Sequence, residues 1–294
     1  MLTRLVKLYS RIPLPWVRQF GRLLGWAIHG LDKRYRSRIQ ENLSIAGQTS
    51  RKVRNAAIAG VGAGLAEAPW VWGYTPHQLK QWIICEQADL LKELAKGPRP
   101  VVFLTPHLGS FEMTARFLAA YLPITVLYKE PDAVGLKAFM AKIRNAENLS
   151  AVPANLGGVK TMLKALKAGQ AIGILPDQVP SAGEGRWVPF FSRSAYTMTL
   201  PERLAQATKA RVVIVLGTPL HNQPVGKTYW RFELEEMLET PSPENINNKF
   251  EKIILNRPEL YLWGYNRYKR PAGAPAAPTQ GLQSPPKASG SLDA

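Results

Sequence analysis

Cysteine is nearly absent from this sequence. The single Cys85 among 294 residues excludes an intramolecular disulfide framework and any site built from several thiolates, and it suits a reducing compartment. Histidine is sparse too: there are four, none with a second His or Cys at ligand spacing, so neither a metal nor a cofactor is expected. Acidic residues are few, with 21 Asp and Glu against 38 Lys and Arg, a formal charge of +17. That imbalance points to an anionic partner: nucleic acid, an anionic membrane surface or an acidic protein. Long unbroken apolar runs are also missing. The most membrane-like stretch, IPLPWVRQFGRLLGWAIHGL (residues 12–31), is interrupted by Arg18, Arg22 and two prolines, whereas a span needs about 20 mostly apolar residues. It has no uninterrupted apolar centre and no small-residue cleavage site, so a secretory leader is not expected.

What is present is ample material for a core, since 46% of the residues are hydrophobic. The charge is also localised. Residues 1–54 carry twelve Lys and Arg against Asp32 and Glu41, a net of +10 of the total +17. Wound as a helix at about 100° per residue, residues 12–31 gather Trp16, Phe20, Leu23, Leu24, Ala27 and Leu31 on one face, with Arg18, Arg22 and His29 on the other. Such a helix either packs on the protein's own core or lies in a membrane interface. Lys33, Arg34, Arg36 and Arg38, which follow it, favour the interface. At the other end, residues 271–294 are dominated by Pro, Ala, Gly and Ser and read as a disordered tail. The expected organisation is therefore a basic amphipathic membrane-associating region (1–54), a catalytic domain (55–270) and the tail (271–294).

Between the ends, short apolar runs alternate with helical periodicity. Strands are expected at 101–105, 124–128, 171–175 and 212–217, and helices at 51–65, 111–120, 136–147, 159–168, 200–210 and 243–256. The fold class is α/β, with a central mostly parallel or mixed sheet flanked by helices and ligand sites at the carboxyl ends of strands.

Three loops follow such ends. In the first, His107 and Glu112 would stand about 140° apart on one continuous helix. They can meet only if His107 lies in the turn and Glu112 in the first helical turn, with Gly109 permitting the bend. A carboxylate there can orient an imidazole acting as general base; the alternative is a surface histidine and a Glu complementing the helix dipole. The second loop carries Asp177 and Gln178, hydrogen-bonding groups for a polar substrate, and continues through GEGRWVPFF, with Arg186 counted as substrate-binding and Trp187, Val188, Phe190 and Phe191 as apolar surface for a chain. The alternatives are a turn for Asp177 and Gln178, and core or an edge strand for the aromatic run. The third places Lys129, with Arg144 on the next helix, as cations suited to phosphates. Gly60-Val61-Gly62-Ala63-Gly64 follows a helical segment rather than a strand, which argues against a dinucleotide loop.

Four blocks in order, HLGSFE, KALKAGQAIGILPDQ, GEGRWVPFFS with YTMTLPERLA, and YLWGYNRYK, resemble the bacterial lipid A biosynthesis acyltransferases, late acyltransferases of the lysophospholipid acyltransferase superfamily. The resemblance spans about residues 1–270 and includes RYRSRIQENLSIAG. It implies that His107 is the base of the His-x4-acid motif and Glu112 its carboxylate partner, that Arg144 matches a basic position, and that Asp177 and Gln178 match an Asp-Gln pair. Phe111 fills a position where Trp is frequent, and Pro176-Asp177-Gln178 replaces the Pro-Glu-Gly block of glycerolipid acyltransferases, which argues against a lysophosphatidic acid acceptor. The implied reaction is acyl transfer from acyl carrier protein to a hydroxyl of an anionic, Kdo-bearing, tetra-acylated lipid A precursor, at the cytoplasmic face of the inner membrane. The resemblance also implies no acyl-enzyme, so Cys85 is expected to be a small buried residue. Rival readings are an acyltransferase for another phospholipid or ornithine lipid, and a non-enzymatic basic membrane- or nucleic-acid-binding protein. The localised charge and the absence of a recognised motif disfavour nucleic acid.

Overall fold

Continuous apolar runs can be buried on both faces, and here they form the middle of a sheet. The computed structural model describes residues 2–278. Its strands are β1 (Ile83–Cys85), β2 (Val101–Leu104), β3 (Ile124–Tyr128), β4 (Leu149–Pro153), β5 (Ala171–Ile174), β6 (Gly185–Phe190), β7 (Arg193–Met198), β8 (Arg211–Pro219) and β9 (Trp230–Glu236). The helices are α1 (Leu2–Tyr9), α2 (Leu14–Leu31), α3 (Lys33–Ile45), α4 (Arg51–Trp72), α5 (Pro76–Lys80), α6 (Ala88–Lys96), α7 (Phe111–Ala119), α8 (Val134–Arg144), α9 (Leu156–Lys167), α10 (Leu200–Thr208) and α11 (Pro243–Asn256). Seven strands form one sheet in the order β1-β9-β8-β2-β5-β3-β4, parallel except for the β8/β9 pair; β6 and β7 make a separate hairpin. The expected mixed α/β sheet is thus what the chain forms.

Alternation along β2 divides the core. Val102 and Leu104 join Ile172, Val212, Met162 and Phe250 on one face. Val101 and Phe103 join Val213, Val215, Leu91 and Phe117 on the other. There Phe117 of α7 stacks on Phe232 of β9, centroids 4.0 Å apart. The four anticipated strands and six anticipated helices all form, though β8 is longer and α4 runs on to Trp72.

Helix α2 packs the opposite way from an ordinary surface helix. Its inward face is Leu14, Val17, Arg18, Gly21 and Gly25, while Trp16 is 70% and Leu31 87% exposed, and Phe20 and Leu23 also face outward. The glycine-rich run of α4 explains the close approach: a Cβ on Gly62 would lie 2.1 Å from Gly21 O and 2.4 Å from Gly25 N. Gly62, in the middle of the run, therefore serves helix packing, and the run lies within α4 rather than after a strand. Arg18, only 6% exposed, donates from Nε to Glu67 Oε2 of α4 at 2.6 Å and also to Leu220 O and Tyr229 O.

The expected tail starts too early. Ala274 is buried, and Pro275 O accepts from Trp187 Nε1 at 3.0 Å, so its first residues pack on the hairpin. Residues 279–294 lie outside the described residues.

Candidate active site

Strands β2 and β5 pair in parallel with Leu104 opposite Ile174. His107 lies three residues beyond the first and Asp177 three beyond the second, so the topology sets them side by side at the carboxyl edge of the sheet. His107 Nδ1 is 2.7 Å from Asp177 Oδ1, and the backbone N–H of His107 donates to Asp177 Oδ2 at 2.9 Å. One carboxylate thus holds both the ring and the backbone of the histidine. Asp177 is 3% exposed. Burial alone would raise its carboxyl; the charge and two hydrogen bonds of His107, helped by Arg267, outweigh that and hold it below the ordinary range. An ionised Asp177 accepts, so Nδ1 carries the proton and Nε2 presents its lone pair. That lone pair accepts from the side-chain amide of Gln178, whose nitrogen is 3.0 Å away.

The bend at His107 has local causes. Gly109 adopts φ +59°, and a Cβ there would lie 2.4 Å from Gly217 O of β8. Gly109 N donates to Leu260 O, and Leu262 N to His107 O. The segment after α11 therefore straps the turn down. It also brings two residues that no motif spacing points to: Tyr261, whose hydroxyl is held well above its ordinary pKa by burial and by the charge of Asp177, and Arg267, fully buried and bonded to Tyr196 O and Thr197 Oγ1. Their signal was in YLWGYNRYK, in which a Tyr and an Arg stand inside a buried apolar context, but no spacing rule connects that block with residue 177. Phe111 packs on the imidazole, ring centroids 4.9 Å apart.

The expected His107/Glu112 contact does not form. Glu112 lies in the first turn of α7, yet its carboxylate accepts from Arg144 Nη2 at 2.5 Å and from Trp72 Nε1 at 3.2 Å. The guanidinium at the end of α8 draws it away, and Asp177 fills the place at the imidazole. Arg144 lies over Trp72 and Tyr128, and the buried Arg116 beside this cluster, its pKa lowered by burial to about 10, donates to Tyr74 O and Ile143 O. Lys129 is exposed at the end of β3. Arg186 forms ion pairs within the fold: its fork grips Glu244 at 3.0 and 2.5 Å, with Glu202 at 3.1 Å, pinning β6 to α10 and α11. Val188 and Phe190, expected as chain-binding surface, are core. Cys85, on the edge strand β1, is half-buried, and burial raises its thiol, which keeps it protonated rather than nucleophilic. Among the described residues no His, Cys, Asp and Glu cluster fits a metal ion.

A buried carboxylate orienting an imidazole is a general-base arrangement found in many enzymes; the family comes from sequence. The family model for bacterial lipid A biosynthesis acyltransferases matches residues 3–270. The chain belongs to this family. Among the relatives of this acyltransferase is the lipid A biosynthesis palmitoleoyltransferase of Escherichia coli strain K12, 26% identical over 281 residues, 90% of this chain and 89% of that one. The lipid A biosynthesis lauroyltransferase of the same strain is 25% identical over 282 residues, 92% of this chain and 90% of that one. A solved 1-acyl-sn-glycerophosphate acyltransferase from Thermotoga maritima superposes with a TM-score of 0.37 at 13% identity, covering 86% of the acyltransferase and 94% of that chain. So weak a superposition decides nothing, and the fold class rests on the strand order.

Proposed function

We propose that this acyltransferase moves a fatty acyl chain from an acyl carrier protein thioester to a hydroxyl of a Kdo-bearing, tetra-acylated lipid A precursor. The observation that carries the reading is His107 held by the buried Asp177 at the joined ends of β2 and β5, within a chain of this family. Nε2 takes the proton of the acceptor hydroxyl as its oxygen attacks the thioester carbon, and Asp177 stabilises the imidazolium. When the intermediate collapses, the proton passes to the departing thiolate. Glu112 acts one step removed, holding Arg144, which together with Lys129 offers positive charge to the precursor's phosphates.

The same reading places the enzyme on the cytoplasmic face of the inner membrane. Among the described residues no helix is long and apolar enough to cross a bilayer. Instead Leu5 and Leu8 of α1 and Trp16, Phe20 and Leu23 of α2 expose an apolar strip next to the basic α3, which suits insertion into an anionic interface. An acidic carrier protein and an anionic acceptor both suit the positive charge. Mass spectrometry of lipid A from cells with and without the protein tests the assignment. Loss of one acyl chain on deletion is expected; an unchanged lipid A profile contradicts it.

A further inference from the structure

Attack on a thioester puts negative charge on the carbonyl oxygen, and an active site stabilises it with a donor about 2.7–3.1 Å away. The backbone of the His107 turn has its donors engaged. His107 N donates to Asp177 Oδ2, Leu108 N to Pro106 O, Gly109 N to Leu260 O and Ser110 N to Gly217 O. The neighbouring guanidiniums are partly engaged: Arg144 with Glu112, Arg116 with Tyr74 O and Ile143 O, and Arg267 with Tyr196 O and Thr197 Oγ1, while Nε of Arg144 and Nε of Arg267 are buried without a partner among the described residues. Beside the reactive nitrogen stands one side-chain amide, that of half-buried Gln178, 3.0 Å from His107 Nε2. In the resting site it occupies the position that an acceptor hydroxyl must take. Its nitrogen carries two hydrogens, and no other bond from it is recorded among the described residues.

We infer that Gln178 is a catalytic residue: it covers His107 Nε2 in the resting site, yields that nitrogen to the incoming hydroxyl and donates its amide hydrogen to the thioester carbonyl oxygen. The inference rests on the acyl-transfer reading above. The hydroxyl oxygen bonds to the carbonyl carbon while its proton goes to His107 Nε2, and the carbonyl π pair moves onto oxygen, where the Gln178 N–H meets it. Collapse restores the carbonyl, breaks the C–S bond and returns the proton from His107 to the thiolate. The balance is thioester plus alcohol to ester plus thiol. Because a hydroxyl bonded to Nε2 is within van der Waals reach of the carbonyl carbon, an amide already beside Nε2 meets the oxygen by side-chain rotation alone. The competing donors are the first-turn amides of Phe111 and Glu112 in α7 and the unpartnered Nε–H groups of Arg144 and Arg267.

The test uses the purified full chain with an acyl carrier protein thioester and a Kdo-bearing, tetra-acylated lipid A precursor. Gln178→Met keeps the side-chain length without a donor, Gln178→Glu keeps the shape with a carboxylate, and His107→Ala runs in parallel. Expected for both Gln178 variants is a kcat about 100- to 1,000-fold lower, with KM for donor and acceptor within about threefold and an unchanged thermal midpoint. A tetrahedral phosphonate analogue of the acyl donor should lose affinity in both variants, while the unreacted thioester should not. If the Met variant fails to fold, the Glu variant carries the test. Near wild-type kcat in a folded Gln178 variant, with His107→Ala inactive, overturns the Gln178 assignment alone and moves the oxyanion to one of the competing donors. A loss confined to KM also overturns it, leaving Gln178 a binding group. Activity retained by His107→Ala overturns the underlying acyl-transfer mechanism.

Discussion

At His107 the chemistry turns on which ring nitrogen carries the proton, and Asp177 decides it. Asp177→Asn can donate to Nδ1 and so favours the wrong tautomer; acyl transfer is expected to fall at least about 100-fold, read as kcat in a folded variant. Glu112 has a different dependence. It and Arg144 form one ion pair at 2.5 Å, so Glu112→Ala and Arg144→Ala should each lower transfer while the double variant loses little more than either single one, a coupling that a double-mutant cycle measures. Fully additive losses would separate the two roles. His107 was legible from a strand end followed by Gly109. Its partner was not, because β3 and β4 lie between β2 and β5 in sequence, while only the strand order makes 107 and 177 neighbours. Sequence proximity favours Glu112, but in the fold Arg144 holds it.

Among the elements, α2 bears the most. Its inward face combines the core residues Leu14 and Val17 with Arg18 and two glycines that meet Gly62 backbone to backbone, so the larger apolar strip is left facing out. Trp16→Glu with Phe20→Glu is expected to abolish co-sedimentation with phosphatidylglycerol vesicles without shifting the thermal midpoint. Retained binding by the double variant contradicts the interfacial role. Deleting residues 1–31, the obvious alternative, would also remove Arg18 from its buried pair with Glu67 and confound the result. Periodicity had separated the two faces of α2 but not which one turned inward, since helical amphipathicity is the same for core and membrane. The continuous apolar strands were equally legible. Strand β9 carries no continuous apolar run: Trp230, Phe232 and Leu234 alternate with charges, as suits a strand near the sheet edge that pairs antiparallel to β8. The short β1 and the Pro-ended β4 had too little pattern to stand out.

Across the molecule, buried charges tie the parts together. Arg18 and Glu67, 6% and 3% exposed, join α2 and α4 to the β8/β9 connection, and Trp230 Nε1 donates to both Glu67 and Ser110. Glu67→Ala strands a buried guanidinium and should cost about 3–5 kcal/mol in denaturant unfolding; a loss under about 1 kcal/mol would mean that the pair is solvated. Acid stability follows from Asp177. A carboxyl held below its ordinary range contributes stability that is complete above its unfolded value, about 3.9, and is lost as pH falls through the lower folded one. The stability gap between wild type and Asp177→Asn should therefore narrow below about 4, as the Asp177 carboxylate takes up its proton. Urea unfolding at a series of pH values reads this directly.

The central claim is that His107, oriented by Asp177, is the base for acyl transfer onto a lipid A precursor. Its most direct test is turnover by purified His107→Ala with an acyl carrier protein thioester and a Kdo-bearing, tetra-acylated acceptor. The account predicts that the folded variant loses at least about 100-fold in kcat; near-normal turnover would contradict it.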